Sequence, residues 1–234
     1  MALPCYLAMT AAEIAANSVL PPRMAWMACH FSPSGPGLTN LPSALPAGAI
    51  LILDDSVPIS GHNPKMIVQE LKKLLDRFDI SSVLLDFQRA GDPVAAAVAQ
   101  SIVSSLPGPV GVSELYAQDL DCPVFLSPPP PHCLLHEYLA PWQGRDIFLE
   151  AALSCETVAI TDKGAVFTSD PLEQARKEGY WDESLHCHYT VETSENQIRF
   201  FLYRTRDDLN QLLQEAENFG VSRAIGLYQE LNII

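Results

Sequence analysis

Basic residues are scarce in this chain: 14 Lys and Arg stand against 28 Asp and Glu among 234 residues, a formal charge of −14 with a pI near 4.7. A phosphate backbone or an anionic membrane is bound through Lys and Arg, so this balance argues against nucleic acid and membrane as partners. Long apolar runs are missing too. None approaches the roughly 20 residues that a bilayer-spanning helix needs. The first residues, MALPCYLAMTAAEIAANS, carry no basic n-region and break their apolar stretch at Glu13, unlike a secretory signal, and a cytosolic protein is expected. No C-x-x-C pair occurs. The six cysteines (Cys5, Cys29, Cys122, Cys133, Cys155 and Cys187) are scattered, so reduced thiols are expected, with Cys5 and Cys29 packing as small hydrophobes in apolar runs. No glycine-rich phosphate turn follows the first such run.

Apolar residues make up 48% of the chain and charged ones 18%, enough for a sizeable core and far from a disordered composition. Short apolar β-type runs alternate with helical segments, the pattern of a parallel sheet covered by helices. The runs are Cys5–Met9, Met24–Phe31, Ala49–Leu53, Ser82–Gln88, Pro109–Ser113, Pro123–Ser127, Ile147–Ala152 and Arg223–Gln229. Between them, Thr10 with Glu13 has capping-box spacing, while Asn63-Pro64 and Asp92-Pro93 each pair an N-cap with an N1 proline. A Ser/Gly/Pro-rich loop over 32–48 lacks periodicity, and four prolines, Pro128–Pro131, precede a short helix around Leu134–Tyr138.

From Cys155 to Arg204 the pattern changes to hairpins. Thr157–Ile160 and Ala165–Thr168 flank an Asp-Lys-Gly turn, and His186–Val191 and Gln197–Tyr203 flank Ser194-Glu195-Asn196. Asp170-Pro171 marks a short charged helix. Asp207 begins another, with Leu209, Leu212, Leu213, Ala216 and Phe219 inward and Gly220 as its stop. Eight parallel-type runs with one antiparallel insertion predict an α/β fold: a single compact (β/α)8 TIM barrel over 1–234, with 155–204 as a small insertion before the last strand. An open doubly wound sheet is the competing fold, and the near-regular spacing favours the barrel.

Barrel chemistry sits at the C-terminal ends of the strands. Because strand residues alternate faces, Leu84, Asp86 and Gln88 share one face and Val83, Leu85 and Phe87 the other. Asp86 and Gln88 are therefore expected to point into the barrel near its mouth, where a buried carboxylate must be bonded or paired. Alternatively, Asp86 simply organises the loops there.

The segment FDISSVLLDFQR resembles the fourth-strand signature of family 18 glycoside hydrolases, the chitinase-like barrels, which reads D-G-x-D-x-D-x-E. IRFFLYRTRDDL, LNQLLQEAENFG and VSRAIGLYQEL are similar to that family's α+β insertion, last helix and eighth strand. The similarity is strongest over Ser82–Gln88 and Gln197–Glu230 and architectural elsewhere. By this resemblance Asp86 takes the place of the last signature aspartate, Leu84 that of another, and Gln88 that of the catalytic glutamic acid. Tyr228 replaces the tryptophan that closes the sugar subsite. In the family the acid protonates the glycosidic oxygen while the substrate's acetamido group attacks, steadied by the aspartate. An amide donates no catalytic proton, so the resemblance implies a degenerate site without chitinase-type activity.

Three functions follow as expectations. The mouth binds a saccharide or similar polar ligand through Asp86, Gln88 and Tyr228, with Asp54, Asp55 and Trp26 nearby; or a rearranged carboxylate pair drawn from Asp54, Asp55, Glu114, Glu150 and Glu230 hydrolyses one; or the barrel is purely structural. Other aromatics near strand ends or loops (Phe31, Tyr116, Trp142 and Trp181) serve as sugar platforms or ordinary anchors. His132 and His136 stand at i, i+4 on an expected helix, and His186-Cys187-His188 gives an H-x-H; solvated or core-satisfied histidines are expected over a zinc site. Cys29-His30 is a conceivable dyad, but neighbours on a strand point to opposite faces. No cofactor and no metal are expected, and the oligomeric state is open.

Overall fold

Aliphatic runs four to eight residues long, each followed by a loop or a capped helix, leave the backbone one economical solution: parallel strands joined by crossovers on one side. The computed structural model describes residues 3–59, 61, 63–171, 179–194 and 197–231. In chain order the elements begin with β1 (Cys5–Met9), α1 (Ala11–Ala16), β2 (Met24–Phe31), β3 (Leu38–Thr39), β4 (Ala49–Asp54), α2 (Pro64–Arg77), β5 (Ile80–Asp86) and α3 (Pro93–Ser105). There follow β6 (Val110–Ser113), α4 (Glu114–Ala117), β7 (Val124–Leu126), α5 (Leu135–Leu139), a 3₁₀ turn (Ala140–Trp142) and β8 (Ile147–Glu150). Then come β9 (Cys155–Thr161), β10 (Gly164–Asp170), β11 (Tyr180–Asp182), β12 (Cys187–Ser194), β13 (Gln197–Tyr203), α6 (Arg206–Glu217), β14 (Val221–Leu227) and α7 (Tyr228–Leu231). No described helix is long and apolar enough to cross a membrane.

The chain divides into two compact units. The parallel unit holds Pro4–Ser127, Arg145–Glu150 and the chain from Ser222. Its strands run in the order β1-β14-β8-β7-β6-β5-β4-β2, and β1 also pairs with β2, so eight parallel strands close into a barrel; β3 adds antiparallel to β2. The expected TIM-barrel fold is the observed one. Inside lie Ala8, Ala25, Ile50, Ile52, Leu84, Phe125, Phe148 and Ile225. The alternate set, including Leu51, Leu53, Val83 and Leu85, is buried on the outer face. On that side α2 turns inward Ile67, Val68, Leu71 and Leu74, and α3 turns inward Ala95, Val98, Ala99 and Ile102.

Size matching within the barrel is tight. A Cβ on Gly111 would lie 2.7 Å from Phe148 Cδ2 and 3.1 Å from Leu84 Cδ1, so the missing side chain is what lets the Phe148 ring lie across the axis. Toward the N-terminal end, Arg223 donates from Nη1 to Ser82 Oγ at 2.7 Å and stacks 4.8 Å above the Phe148 ring. The three sequence-marked caps are all present: Thr10 and Glu13 form a capping box, and Asn63 and Asp92 accept from the first-turn amides of α2 and α3.

The antiparallel unit holds Pro128–Gly144 and Ala151–Val221. Its sheet runs β10-β9-β13-β12-β11, with both expected hairpin pairings, Gly164↔Thr161 and Ser194↔Gln197, in register. Arg204, only 3% exposed, donates to the carbonyls of Pro129, Pro130, Leu185 and His186 and thereby fixes the proline run. Burial lowers its pKa to about 10.

Several boundaries differ from the sequence-based expectation. β5 ends at Asp86, so Gln88 lies beyond the strand. The last long helix starts at Arg206, because Thr205 caps it with Asp208 reciprocating. It stops at Glu217, which leaves Phe219 outside the helix and 39% exposed. α5 begins at Leu135, so His132 precedes it and shares no helical face with His136. His132 Nδ1 sits 2.6 Å from Glu156 Oε2, and His136 is exposed. His186 lies in the turn before β12 with φ at 48° and meets Glu215 at 2.7 Å; His188 meets Asp208 at 2.8 Å. None of the six cysteines is in a disulfide. The charged helix expected after Asp170-Pro171 and the turn residues 195–196 lie outside the described residues.

Candidate functional site

Strand register decides which acids meet. In the β4–β5 pair, Asp54 is directly opposite Asp86, and both occupy the last position of their strands. Cross-strand partners share a face, here the inward one. Glu150 ends β8 two residues beyond the inward Phe148, so it is aimed the same way. The three carboxylates line one cavity of about 70 Å³ at the C-terminal end of the barrel, with Met27, Phe125 and Leu227 among its apolar walls. That space holds about two waters.

Each carboxylate has a different environment. Asp86 accepts from the side-chain amide of Gln88, itself exposed at the rim. Burial raises the Asp86 pKa, the Gln88 bond pulls it back, and the charges of Asp54 and Asp55 push it up again. Glu150 is pushed up to about 7, first by burial and then by the charges of Asp86 and Glu230. A carboxyl with that value is substantially protonated at neutral pH. Asp54 accepts from Ser56 through the backbone N–H at 2.9 Å and the hydroxyl at 2.5 Å, and its other oxygen lies 2.7 Å from His30 Nδ1.

The remaining sequence-derived residues lie elsewhere. Asp55 is 3% exposed and accepts from the backbone amides of Gln88 at 3.0 Å and Arg89 at 2.9 Å, while Arg89 donates to the Ser56 carbonyl at 2.8 Å. Asp55 thus anchors the loop after β5 and does not line the cavity. Glu114 opens α4, half-buried and away from the cavity lining. Trp26 is in register with Leu51 on the outer face and donates from Nε1 to the Asn40 carbonyl at 3.2 Å, tying down the loop over 32–48. Glu70 tethers the same loop by accepting from the Leu38 amide at 2.6 Å. Beside that loop a depression of about 540 Å³ is walled by Ser32, Gly35, Pro36, Val57 and Pro58 among others. Tyr228 starts α7 and donates its hydroxyl to Asn17 Oδ1 at 3.0 Å; the cavity wall at that strand end is Leu227.

One residue at this site is invisible to alternation. Trp26 pairs with Leu51 and Cys29 with Leu53, so Met27 and Ala28 together oppose Ile52 alone. This β-bulge reverses the phase of β2 and sets His30 opposite Asp54, on the inward face. Nothing in the local sequence announces a bulge there.

No known protein family and no characterised protein matches the chain by sequence. By structure, the chain is similar to the spore cortex-lytic enzyme SleL from Bacillus cereus, with a TM-score of 0.56 and 10% identity over 96% of this chain and 70% of that one. The class V chitinase from Nicotiana tobaccum, solved as a mutant in complex with NAG4, gives 0.58 at 9% identity over 97% and 93%. The GH18 chitinase mutant from Cycas revoluta, in complex with (GlcNAc)4, gives 0.55 at 11% over 99% and 95%. Identities this low establish a common barrel fold. The chain thus shares its barrel architecture with these proteins.

Proposed function

We propose that the barrel mouth binds a saccharide or a similar polar ligand and lacks the acid-catalysed chemistry of the chitinases it resembles. The observation that carries this reading is the bond from the Gln88 amide to Asp86. Where the signature calls for a proton donor there is an amide, and an amide removes a step worth roughly 10²–10⁴-fold in rate. What remains is recognition chemistry. Acidic oxygens accept from sugar hydroxyls, while Met27 and Leu227 offer apolar surface to C–H groups. The cavity admits only one substituent, so the rest of a ligand would lie across the rim.

The test is calorimetric titration with N-acetylglucosamine oligomers and a panel of other saccharides, with turnover followed in parallel, on the natural chain and on Gln88→Glu. Under this first reading the natural chain binds saturably without cleavage. Gain of hydrolysis by Gln88→Glu would show a disarmed chitinase-type site, and absence of binding by both forms would overturn the saccharide ligand.

A second reading is favoured by Glu150. Held up to about 7 and sharing a cavity with Asp86, it has the protonation state of a general acid beside a carboxylate. In this reading the mouth is a hydrolase whose acid has moved from the fourth barrel strand to the seventh. Cleavage of any panel member by the natural chain, abolished in Glu150→Gln, would select it.

A further inference from the structure

The geometry points to His30 as a general base at the barrel mouth, with the Asp54 carboxylate beside it to stabilise the charge it gains. This inference rests on the second reading, in which Glu150 supplies the proton. Three observations carry it. The bulge at Met27-Ala28 is what turns His30 to the inward face of β2, in register with Asp54. A bulge interrupts ladder bonds, and such departures are concentrated beside sites where a side chain must be re-aimed. The His30 Nδ1 lies 2.7 Å from Asp54 Oδ2, and the other oxygen of Asp54 is fixed by both donors of Ser56. The contact is an ion pair without hydrogen-bond geometry, and a carboxylate this close stabilises the imidazolium that forms when Nε2 takes a proton.

Finally, His30 Nε2 has no hydrogen-bond partner among the described residues, and the His30 side chain is 27% exposed. Asp54 itself lines the cavity that Asp86 and Glu150 share. The acids that share this cavity with Asp54 are Asp86 of β5 and Glu150 of β8.

The step balances without a cofactor. Nε2 takes a proton from water as the water oxygen bonds to the anomeric carbon. The glycosidic C–O bond breaks, and the leaving oxygen takes the Glu150 proton. The proton on His30 then returns to solvent as Glu150 is reprotonated. Attack by a base-activated water inverts the anomeric configuration.

The experiment measures cleavage of the same saccharide panel by the intact protein, His30→Gln, His30→Gly, Asp54→Asn and Glu150→Gln, with product anomers read by NMR. A roughly 10²–10⁴-fold fall in kcat is expected for His30→Gln with KM little changed, a smaller fall for Asp54→Asn, partial rescue of His30→Gly by added imidazole, and inverted product. Full kcat in His30→Gln alongside an inactive Glu150→Gln would overturn the base assignment and leave the hydrolase reading standing. No cleavage by the intact protein would overturn both. A long-range ¹H–¹⁵N spectrum of the intact protein guards against variants that do not fold: an Nε2-protonated tautomer at His30 would also overturn the assignment.

Discussion

Gln88 and Asp86, two residues apart at the end of β5, are bonded to each other through the amide N–H of one and the carboxylate of the other. The bond joins a rim residue to a cavity residue. Asp55, on the adjacent loop, holds the Gln88 backbone in place by accepting its N–H at 3.0 Å. The orientation of Asp86 therefore depends on a short relay, Asp55 to the Gln88 backbone and the Gln88 side chain to Asp86.

Removing the amide should be visible at Asp86. Its pKa is raised by burial and lowered by the Gln88 bond, so Gln88→Ala should move it further up. A ¹³C carboxyl titration of the two proteins checks this, and an unchanged Asp86 would contradict the relay.

Glu150 should make stability fall as pH rises. Its folded-state pKa of about 7 lies above the ordinary 4.5, so the unfolded chain loses this proton first. No penalty exists below the unfolded value; it grows between about 4.5 and 7 and is complete above, at most about 3 kcal/mol. Glu150→Gln should show a weaker fall in stability between pH 5 and pH 8 than the natural chain. Urea unfolding at those two values measures the difference.

The period-two rule was sufficient to place Asp86 inward, because β5 keeps one register against β4 from Ser82 to Asp86, past the irregularity at Ser81. Eight aliphatic runs with capped helices between them also made the barrel legible. His30 was hidden because alternation counted across a bulge gives the wrong face, and only the partner strand reveals the extra residue. The contacts of Asp55 and Trp26 were out of reach for a related reason. Asp55 follows the C-terminal end of β4 and Trp26 lies near the start of β2, but their contacts are with loop amides and a loop carbonyl, and those pairings are non-local. The shift of the β5 boundary by two residues follows from the same limit, since Phe87 and Gln88 suit a strand but have no ladder partner.

Gly111→Ala should be costly despite adding one methyl group. The new carbon would meet the Phe148 ring at 2.7 Å inside a packed barrel, and overpacking of this kind costs about 1–3 kcal/mol. Chemical denaturation should detect the loss, and adding Phe148→Leu should recover part of it.

Arg204→Met should destabilise the antiparallel unit by at least about 3 kcal/mol, since it strands several buried carbonyls at once. Arg204→Lys should recover only a fraction. Lysine keeps the charge, but its three donors radiate from one nitrogen and do not reproduce the planar fork. Equilibrium unfolding of both variants distinguishes shape from charge.

The pairing of β14 with both β1 and β8 has a consequence for how the molecule is made. A ribosome releases seven staves of the cylinder long before the eighth, and the antiparallel unit emerges in the interval. Until residues 221–227 arrive, β1 and β8 each expose an unzipped edge, and the interior around Ile225 stands unsealed. Loop-closure entropy makes such a late, long-range join slow, and the nascent chain is most vulnerable to sticking to its neighbours during that wait.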